Sequence, residues 1–226
     1  MVKERPPRND GEAMTKAERE ELQKQKLEEM LSYERALWDA GALYVAGVDE
    51  VGRGPLAGPV CAACVVLPQD FDIIGVNDSK KLSEKKRNEL YGLIIERALG
   101  YGIGLIDNVR IDEVNILNAT KEAMLMAVKD ASAMLLAPIG HLLVDAVKLP
   151  EAKIPGTAII KGDEKSVSIA AASIIAKVTR DRIMVEMGNI YPGYGFASNK
   201  GYGTAEHYAG LRAHGRTKVH RLTFLK

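Results

Sequence analysis

The segment from Tyr44 to Val60, YVAGVDEVGRGPLAGPV, limits how the rest of the chain can be arranged. The valines and alanine that lead up to the acidic pair Asp49–Glu50 are typical of a β-strand. The pair is followed by three closely spaced glycines, Gly52, Gly54 and Gly58. Glycines in this setting predict a sharp turn at which the backbone approaches another group closely. A second apolar run follows, so the pattern predicts two strands joined by a glycine turn, with two carboxylates at one rim of a sheet.

Three interpretations of this segment are open from its residues alone. A dinucleotide-binding loop requires G-x-G-x-x-G between a strand and a helix, whereas here the spacing is G-x-G-x-x-x-G and a strand follows. A tight hairpin with a solvated acidic pair is the plainest interpretation. A divalent-metal site is the third, and it requires further carboxylates that converge on the same rim.

Composition indicates one sizeable domain with an appendage. The 226 residues are 46% hydrophobic and 27% charged, which is ordinary for a globular protein. No apolar run approaches the roughly 20 residues that span a bilayer. The first twelve residues, MVKERPPRNDGE, are charged and lack the apolar core of a signal peptide. We therefore expect a cytoplasmic protein that does not associate with membranes.

The two cysteines form a C-x-x-C motif, Cys61 to Cys64, inside the apolar run CAACVVL. Such a motif can be a redox pair or half of a zinc site. No second cysteine or histidine pair stands at zinc-ligand spacing, and residues i and i+3 of a strand face opposite ways. The favoured interpretation is that both thiols are small buried residues of a core strand.

Charge is distributed unevenly along the chain. Residues 177–226 contain nine Lys or Arg and three Asp or Glu, a local charge of 9 − 3 = +6, so the remainder carries 1 − 6 = −5. Four tyrosines are interleaved with these positive charges, at Tyr191, Tyr194, Tyr202 and Tyr208. A basic segment with aromatic residues suits a nucleic-acid partner; a solvated basic surface is the alternative.

Periodicity along the chain predicts an α/β protein with a mixed sheet flanked by helices. Residues 1–40 are expected to be an extension, with a disordered start and then an amphipathic helix over 16–38 that packs on the domain or binds a partner. Residues 41–226 are expected to form the domain, including a basic helical segment at its C-terminus. Further helices are predicted at 83–99, 111–117, 119–136, 166–190 and 204–213, and further strands at 101–106, 141–144 and 157–160.

Acidic residues end three of the predicted strands: the pair Asp49–Glu50, then Asp145, then Asp163. Each could merely cap a loop, but sites in open α/β sheets form at strand ends. A cluster of like charges is unfavourable unless a cation fills it. Oxygen ligands favour Mg²⁺ or Mn²⁺ over zinc, and two such ions can clamp a phosphorus centre during in-line displacement.

Several longer motifs resemble those of ribonuclease HII, the bacterial type 2 ribonuclease H family. They are DEVGRGPLAGPV, NDSKKLSEKKR, LVDA, IIKGDEKSVSIAAASIIAKVTRDR and YPGYGFASNKGYGTAEH, and the similarity covers about residues 33–224. The resemblance implies an RNase H-like fold with an N-terminal helical extension. It also implies metal-dependent hydrolysis of the RNA strand of RNA/DNA hybrids. A further implied activity is incision 5′ of single ribonucleotides embedded in duplex DNA, leaving 3′-OH and 5′-phosphate ends.

The resemblance also assigns residues. It implies metal binding and catalysis by Asp49, Glu50, Asp145 and Asp163. Adjacent strand residues face opposite ways, so a backbone carbonyl or a strand-end distortion is expected to bring Asp49 and Glu50 together. The family's G-R-G motif falls on Gly52, Arg53 and Gly54 and resembles a reader of the ribose 2′-OH, the group that separates RNA from DNA. Tyr202 resembles the tyrosine that packs on the following deoxyribose.

Weaker assignments complete the set. The residues expected to contact phosphates or to support the site are Ser79, Lys80, Lys177 and Arg180, although the last two could instead form structural ion pairs on one helix. His207 and His220 are expected to pack or contact phosphate rather than act as bases. Ribonuclease HIII and a non-catalytic nucleic-acid-binding module are the rival functions. A monomer is expected, and replication or transcription machinery is a candidate partner.

Overall fold

The computed structural model describes residues 14–225. The start of the chain that is predicted to be disordered, residues 1 to about 14, therefore lies almost entirely outside the described residues. In chain order the helices are α1 (Lys16–Met30), α2 (Ser32–Asp39), α3 (Glu84–Arg97), α4 (Asn108–Ser132), α5 (Val167–Ile190), α6 (Phe196–Asn199) and α7 (Ala205–His214). The strands are β1 (Val45–Val51), β2 (Val60–Val66), β3 (Gly100–Ile106), β4 (His141–Asp145) and β5 (Gly156–Ile159).

One five-stranded sheet forms the centre, with the order β3-β2-β1-β4-β5. Strands β1, β2 and β3 form an antiparallel meander, whereas β4 and β5 lie parallel to β1 and to each other. The predicted mixed sheet flanked by helices is therefore confirmed. The carboxyl ends of β1 and β4 lie at the same edge of the sheet, because the two strands are parallel neighbours.

Helices α4 and α5 cover opposite faces of the sheet. The alanines of α5 are fully buried, which confirms that its small residues allow close packing. Glycine serves the same purpose in the strands: a methyl group on Gly47 would lie 2.0 Å from the backbone of Ser168 in α5, and one on Gly104 would lie 1.9 Å from the backbone of Ala123 in α4. These close approaches hold α5, and the residues it carries, directly against β1.

The N-terminal helices belong to the core rather than standing apart from it. The predicted single helix breaks at Leu31 into α1 and α2, and Leu27, Met30 and Leu31 pack into the hydrophobic cluster under α5. Glu34 of α2 is fully buried and accepts hydrogen bonds from the Ser166 hydroxyl (2.5 Å) and the Ser168 amide (3.0 Å). Packing of this segment on the domain is thus confirmed, whereas the domain boundary near residue 40 stays a prediction.

The two helices predicted at 111–117 and 119–136 correspond to the two helical parts of α4, which a non-helical residue, Asn115, separates three residues earlier than expected. Asn115 has a positive φ of 69°, and its side-chain oxygen accepts hydrogen bonds from the amides of Leu117 and Asn118. Asparagine often competes with the helix in this way. The kink separates the first two turns of α4 from the portion that covers the sheet.

The cysteines are confirmed as buried strand residues. Cys61 faces the cluster under α5, and Cys64 faces the cluster under α4. Burial raises the pKa of each thiol to about 12, which makes them poor nucleophiles at neutral pH. Within residues 14–225, no helix combines the length and hydrophobicity that a bilayer crossing requires.

Candidate functional site

Three carboxylates meet at the carboxyl edge of the sheet. Because Val48 pairs with Val144, the residues that follow them, Asp49 and Asp145, lie beside each other on neighbouring parallel strands. One carboxylate oxygen from each of Asp49, Glu50 and Asp145 lies within 4.8 Å of the others. These residues are 96 positions apart in sequence at their widest (145 − 49), so their convergence is a product of the parallel β1–β4 pairing.

Glu50 reaches this group with its own side chain. Its side chain leaves β1 near the strand end, one residue before Val51, and a carboxylate oxygen nevertheless joins the cluster. Oε1 lies 3.4 Å from a guanidinium nitrogen of Arg53, and Oε2 is buried without a hydrogen-bond partner. The backbone carbonyl that the sequence suggested is thus not required to bring Glu50 to the centre.

Asp163 stands at the margin of this group. It lies in a 3₁₀ turn, Gly162–Glu164, just after β5, and the Gly162 amide donates to Asp145 Oδ1 at 2.7 Å. Its carboxylate is not one of the three that lie within 4.8 Å. Oδ2 is instead 3.6 Å from the ammonium of Lys80, whose side chain is 73% exposed. The structure therefore places Asp163 next to the cluster and paired with an exposed lysine.

The electrostatics of the cluster favour neutralisation. Burial, then Glu50 and Asp145, raise the pKa of Asp49 well above its ordinary value. Burial also raises the pKa of Glu50, with Arg53 opposing and Asp145 reinforcing the effect. The pKa of Asp163 is raised by burial and by Asp78 and Asp145. Like charges that repel one another are stabilised by a bound cation.

The donor set fits a hard divalent cation. Its atoms are all carboxylate oxygens, and Glu50 Oε2 has no partner within the part of the chain described. Mg²⁺ and Mn²⁺ prefer such ligands, whereas zinc sites usually include cysteine or histidine. Asp49, Glu50 and Asp145 are the residues that could hold a divalent ion, and Asp163 is near enough for Asp145 to raise its pKa.

The loop from Asp78 supports this edge of the sheet. The Asp78 carboxylate accepts from the Lys80 amide and begins a short 3₁₀ turn. Ser79 is buried, and its hydroxyl lies 2.9 Å from the hydroxyl of Ser173 on α5, which in turn favours the ionised form of Asp49. Ser79 is thus a supporting residue, while Lys80 presents its charge to solvent.

The glycine turn packs on a buried arginine, as its glycines predicted. Gly52 and Gly58 have φ values of +92° and +84°, in the left-handed region. A methyl group on Gly52 would lie 2.2 Å from Nε of Arg180, and one on Gly58 would lie 2.4 Å from the sulfur of Met184. Arg53 and Gly54, at the tip, are exposed.

Tyr202 lies beside the tip of this turn. The Leu56 amide donates to the carbonyl of Gly201 at 2.8 Å, which ties the two segments together. A methyl group on Gly54 would lie 3.5 Å from the Tyr202 ring, and 43% of Tyr202 is exposed. The structure therefore brings together the two features that the sequence analysis assigned to substrate reading.

Arg180 supports the turn and has no exposed surface. It is fully buried, and it donates to the carbonyls of Pro59 (2.9 Å), Lys200 (2.9 Å) and Ala57 (3.2 Å). Direct phosphate contact is inconsistent with this burial, and no ion pair of Arg180 is found among the described residues, so support of the site is the role that remains. Lys177, one helical turn earlier, is partly exposed and pairs with Asp181 at 2.8 Å.

Arg221 was missed by the sequence analysis. It is fully buried behind the same turn and donates to the carbonyls of Gly52, Arg53 and Gly58. It is one of nine basic residues in the C-terminal segment, and no local pattern separates it from its exposed neighbours. Only the folded position of the tail shows that this arginine differs from the others.

The two histidines pack, as expected. His207 and His220 are buried, their Nε2 atoms lie 3.0 Å apart, and both rings contact Tyr194 and Phe196. Burial and then His207 lower the pKa of His220 to about 4. This buried imidazole pair fixes the C-terminal segment against α7.

Comparison with known proteins agrees with this fold. A sequence model of the ribonuclease HII family matches residues 46–226. Ribonuclease HII from Bacillus anthracis is 56% identical over 202 residues, which is 89% of this chain and 77% of that protein. The structure of ribonuclease H2 from Pyrococcus horikoshii OT3 superposes with a TM-score of 0.65 at 29% identity, over 80% of this chain and 93% of the other. Ribonuclease HII of Archaeoglobus fulgidus, solved in complex with PCNA, gives a TM-score of 0.66 at 27% identity, over 80% and 94%.

The sheet topology and its acidic edge thus define an RNase H-like nuclease, a class that uses divalent metal ions. Within that class, the chain belongs to the ribonuclease HII family. It is accordingly an endonuclease that hydrolyses RNA in RNA/DNA hybrids. A non-catalytic binding module, one of the rival functions, is not supported.

Proposed function

We propose that this enzyme also incises duplex DNA on the 5′ side of a single embedded ribonucleotide, leaving 3′-OH and 5′-phosphate ends. The observation that carries the proposal is the position of the Gly52–Gly54 turn and Tyr202 beside each other, next to the strand that carries Asp49 and Glu50. The turn would bind the ribose, and Tyr202 would pack on the sugar that follows it. Two such contacts side by side can recognise an RNA–DNA junction without a long RNA tract.

The four acids would hold two divalent ions, Mg²⁺ or Mn²⁺. Asp49, Glu50 and Asp145 supply oxygens that lie within 4.8 Å of one another, and Asp163 follows Gly162, whose amide donates to Asp145. When bound, two such ions supply Lewis-acid stabilisation to the attacking and leaving oxygens of the phosphodiester. The chain's own contribution is a buried, oxygen-lined edge that fixes those ligands before substrate arrives.

The sugar-reading roles rest on chemistry that the turn can perform. Gly52 and Gly54 have no side chain to block close approach of a ribose, and Gly54 is an exposed residue next to Tyr202 whose amide donates no hydrogen bond within the described residues. An exposed amide can hydrogen-bond a 2′-OH, which is the group that distinguishes RNA. The Tyr202 ring offers a flat apolar surface for the neighbouring deoxyribose.

Phosphate contacts are proposed for two lysines. Lys80 carries an exposed ammonium beside Asp163, and Lys177 lies on α5, the helix against β1. Charges of this kind strengthen binding to any nucleic-acid backbone and make it salt-dependent. Ser79 is buried against Ser173, so its proposed role is to hold the loop that carries Lys80.

The decisive experiment compares wild type with Asp49→Asn on a DNA duplex that contains one ribonucleotide. Wild type is expected to cut 5′ of the ribonucleotide only when Mg²⁺ or Mn²⁺ is present, and the variant is expected to bind the duplex without cutting it. Full activity of the variant would overturn the metal assignment. Cleavage of RNA/DNA hybrids without cleavage of the single-ribonucleotide duplex would indicate ribonuclease HIII-type specificity instead.

Partners, location and assembly are proposed on narrower grounds. A homologue of 27% identity forms a complex with PCNA, which supports a contact between this enzyme and replication machinery. We propose a cytoplasmic monomer, supported by two thiols that stay reduced in the core and by an active edge built within one chain. Gel filtration with light scattering tests the monomer, and a dimer mass would contradict it.

A further inference from the structure

The C-terminal segment carries a buried arginine, Arg221, whose side-chain hydrogen bonds all end on backbone carbonyls and whose guanidinium also lies over the Phe224 ring. Arg221 donates through Nε to the Gly58 carbonyl (3.0 Å), through Nη1 to the Arg53 carbonyl (2.9 Å), and through Nη2 to the carbonyls of Gly52 (2.6 Å) and Gly58 (2.9 Å). Its own amide donates to the Leu56 carbonyl at 2.8 Å. The guanidinium therefore gathers the carbonyls of the glycine turn around one plane.

This arrangement fixes where the amides of the turn point. The peptide bonds are trans in residues 14–225, and in a planar trans peptide the C=O and the following N–H point in opposite directions. Because the Gly52 carbonyl faces the guanidinium, the Arg53 amide faces away from it. Because the Arg53 carbonyl also faces the guanidinium, the Gly54 amide faces away as well.

Both amides are available to a ligand. Arg53 and Gly54 are exposed, and neither amide donates a hydrogen bond within the part of the chain that is described. Two successive amides on one side of a turn form an anion- or hydroxyl-binding concavity. The turn is thus oriented from behind by a buried cation and presents its donors at the front, beside Tyr202.

The choice of arginine is explained by geometry. A planar guanidinium fork can hold several carbonyls at once, whereas an ammonium acts as a compact point charge on a flexible stem. Burial and the neighbouring Arg180 lower the pKa of Arg221 to about 9, so the group stays cationic at neutral pH. No carboxylate forms an ion pair with it in the described chain, which leaves its charge directed at the turn.

We propose that Arg221 is a positioning residue for sugar discrimination: by orienting the carbonyls of Gly52 and Arg53, it aims the amides of Arg53 and Gly54 at the ribose 2′-OH. The inference rests on the proposed role of the turn as ribose reader. It assigns to the basic C-terminal segment a function in selectivity, in addition to general attraction of a polyanion.

The experiment uses Arg221→Lys in an Asp49→Asn background, so that binding is measured without cleavage. Affinity is measured in Mg²⁺ for a duplex with one ribonucleotide and for the same duplex made entirely of DNA. The ratio of the two affinities is expected to fall about tenfold, which corresponds to the loss of about one well-aligned hydrogen bond at ~1.4 kcal/mol. Arg216→Lys, an exposed change of the same chemistry in the same segment, is the matched control and is expected to leave the ratio unchanged.

The outcomes separate the two levels of the proposal. If the Asp49→Asn parent shows no preference for the ribonucleotide duplex, the proposed function of the turn fails, and with it the inference. If the parent has a preference and Arg221→Lys keeps it, or weakens both duplexes equally, the positioning role of Arg221 is overturned.

A second variant covers the case in which Arg221→Lys does not fold. Asp112 accepts from the amides of Leu222 and Thr223 and from the Thr223 hydroxyl, and thereby fixes the residues next to Arg221. Asp112→Ala keeps the guanidinium but loosens its anchor, so it is expected to lower the affinity ratio by a smaller factor. An unchanged ratio in this folded variant would also count against the inference.

Discussion

Two clusters of like charge lie side by side in this molecule, and they are treated in opposite ways. At the edge of the sheet, Asp49, Glu50 and Asp145 bring carboxylates within 4.8 Å, and a buried oxygen of Glu50 has no partner. Behind the glycine turn, Arg180 and Arg221 are equally buried, yet every hydrogen bond assigned to them ends on a backbone carbonyl. Among the described residues, Glu50 Oε2 thus lacks a hydrogen-bond partner, whereas each arginine donates at least three hydrogen bonds to backbone carbonyls.

This difference indicates that the acidic cluster, and not the arginine pair, is the ligand-binding site. Unsatisfied buried charge is unfavourable in the absence of a counter-ion, so the acidic edge gains most from a divalent cation. Satisfied buried charge stabilises the backbone around it. The arginines therefore hold the backbone of the glycine turn in place. The acids, in contrast, are the residues whose energy changes most when a divalent cation binds.

The largest expected effect comes from Asp145→Asn. It removes one ligand of the acidic cluster, so kcat/KM on an RNA/DNA hybrid is expected to fall by about 10³-fold or more, equivalent to ~4 kcal/mol. Since Asp145 raises the pKa of Asp49 and Glu50, its loss relieves repulsion, and the free energy of unfolding in EDTA is expected to rise by about 1 kcal/mol. Cleavage assays and thermal unfolding in EDTA provide the two measurements.

A matched control for this prediction is Asp72→Asn, an exposed aspartate on the β2–α3 connection. It is expected to change neither cleavage nor stability. If Asp145→Asn lost stability together with activity, the acidic edge would be a structural ion cluster, and the contrast with the arginines would disappear.

Arg180→Met is expected to have the opposite signature. Removing the guanidinium takes a donor from the carbonyls of Ala57, Pro59 and Lys200 and leaves a cavity at a fully buried position, so the free energy of unfolding is expected to fall by ~3 kcal/mol. Arg182→Met, two residues along α5, removes an exposed arginine that contacts Asn88 and Tyr91 and is expected to cost less than about 1 kcal/mol. Urea unfolding of both variants measures the difference, and equal destabilisation would show that the buried donors contribute little.

Much of this could be read from the sequence, because local patterns encode it. Alternating and glycine-interrupted apolar runs predicted β1, the turn and β2, and Ser83 was correctly predicted to cap α3. The acids that end separate strands predicted a shared edge, and the convergence of Asp49 with Asp145 follows from the parallel pairing of their strands.

The rest depends on contacts that no local pattern encodes. The reach of the Glu50 side chain, the Lys80–Asp163 pair and the break between α1 and α2 are set by tertiary packing. Arg221 is indistinguishable in sequence from exposed basic neighbours, since its burial depends on how residues 218–224 return to the glycine turn. The contact between Arg221 and the glycine turn, which are far apart in sequence, is therefore apparent only in the folded structure.

Glu34 is an intermediate case that sharpens the comparison. It is a buried anion at the start of α5 with one oxygen satisfied and one, Oε2, unpartnered. Burial raises the pKa of Glu34, with the hydrogen bonds from Ser166 and Ser168 opposing the effect. The native state therefore binds this proton more tightly than the unfolded chain, so the group's contribution to stability decreases as pH rises from the unfolded pKa through the folded pKa.

Glu34→Gln cannot titrate and isolates that contribution. The unfolding free energy of the variant relative to wild type is expected to rise as the pH increases from 4 to 7, because only wild type loses the stability that the bound proton provides. Urea unfolding at a series of pH values measures the change, and Glu29→Gln, an exposed position on α1, serves as control. A difference that is flat or falls with pH would mean that the two hydrogen bonds outweigh burial.

The smallest expected effect concerns Lys177, whose ammonium lies 2.8 Å from Asp181 on the surface of α5. If the pair is only structural, Lys177→Met and Asp181→Asn each cost less than about 1 kcal/mol of stability and leave KM unchanged. If Lys177 contacts phosphate, as we expect, Lys177→Met raises KM severalfold at low salt, whereas Asp181→Asn frees the ammonium and leaves KM equal or lower. Steady-state kinetics at two salt concentrations distinguish these cases, because equal KM values for the two variants are compatible only with a structural pair. In that case Lys177, like Arg180 and Arg221, would have a structural role and would not bind the substrate phosphates.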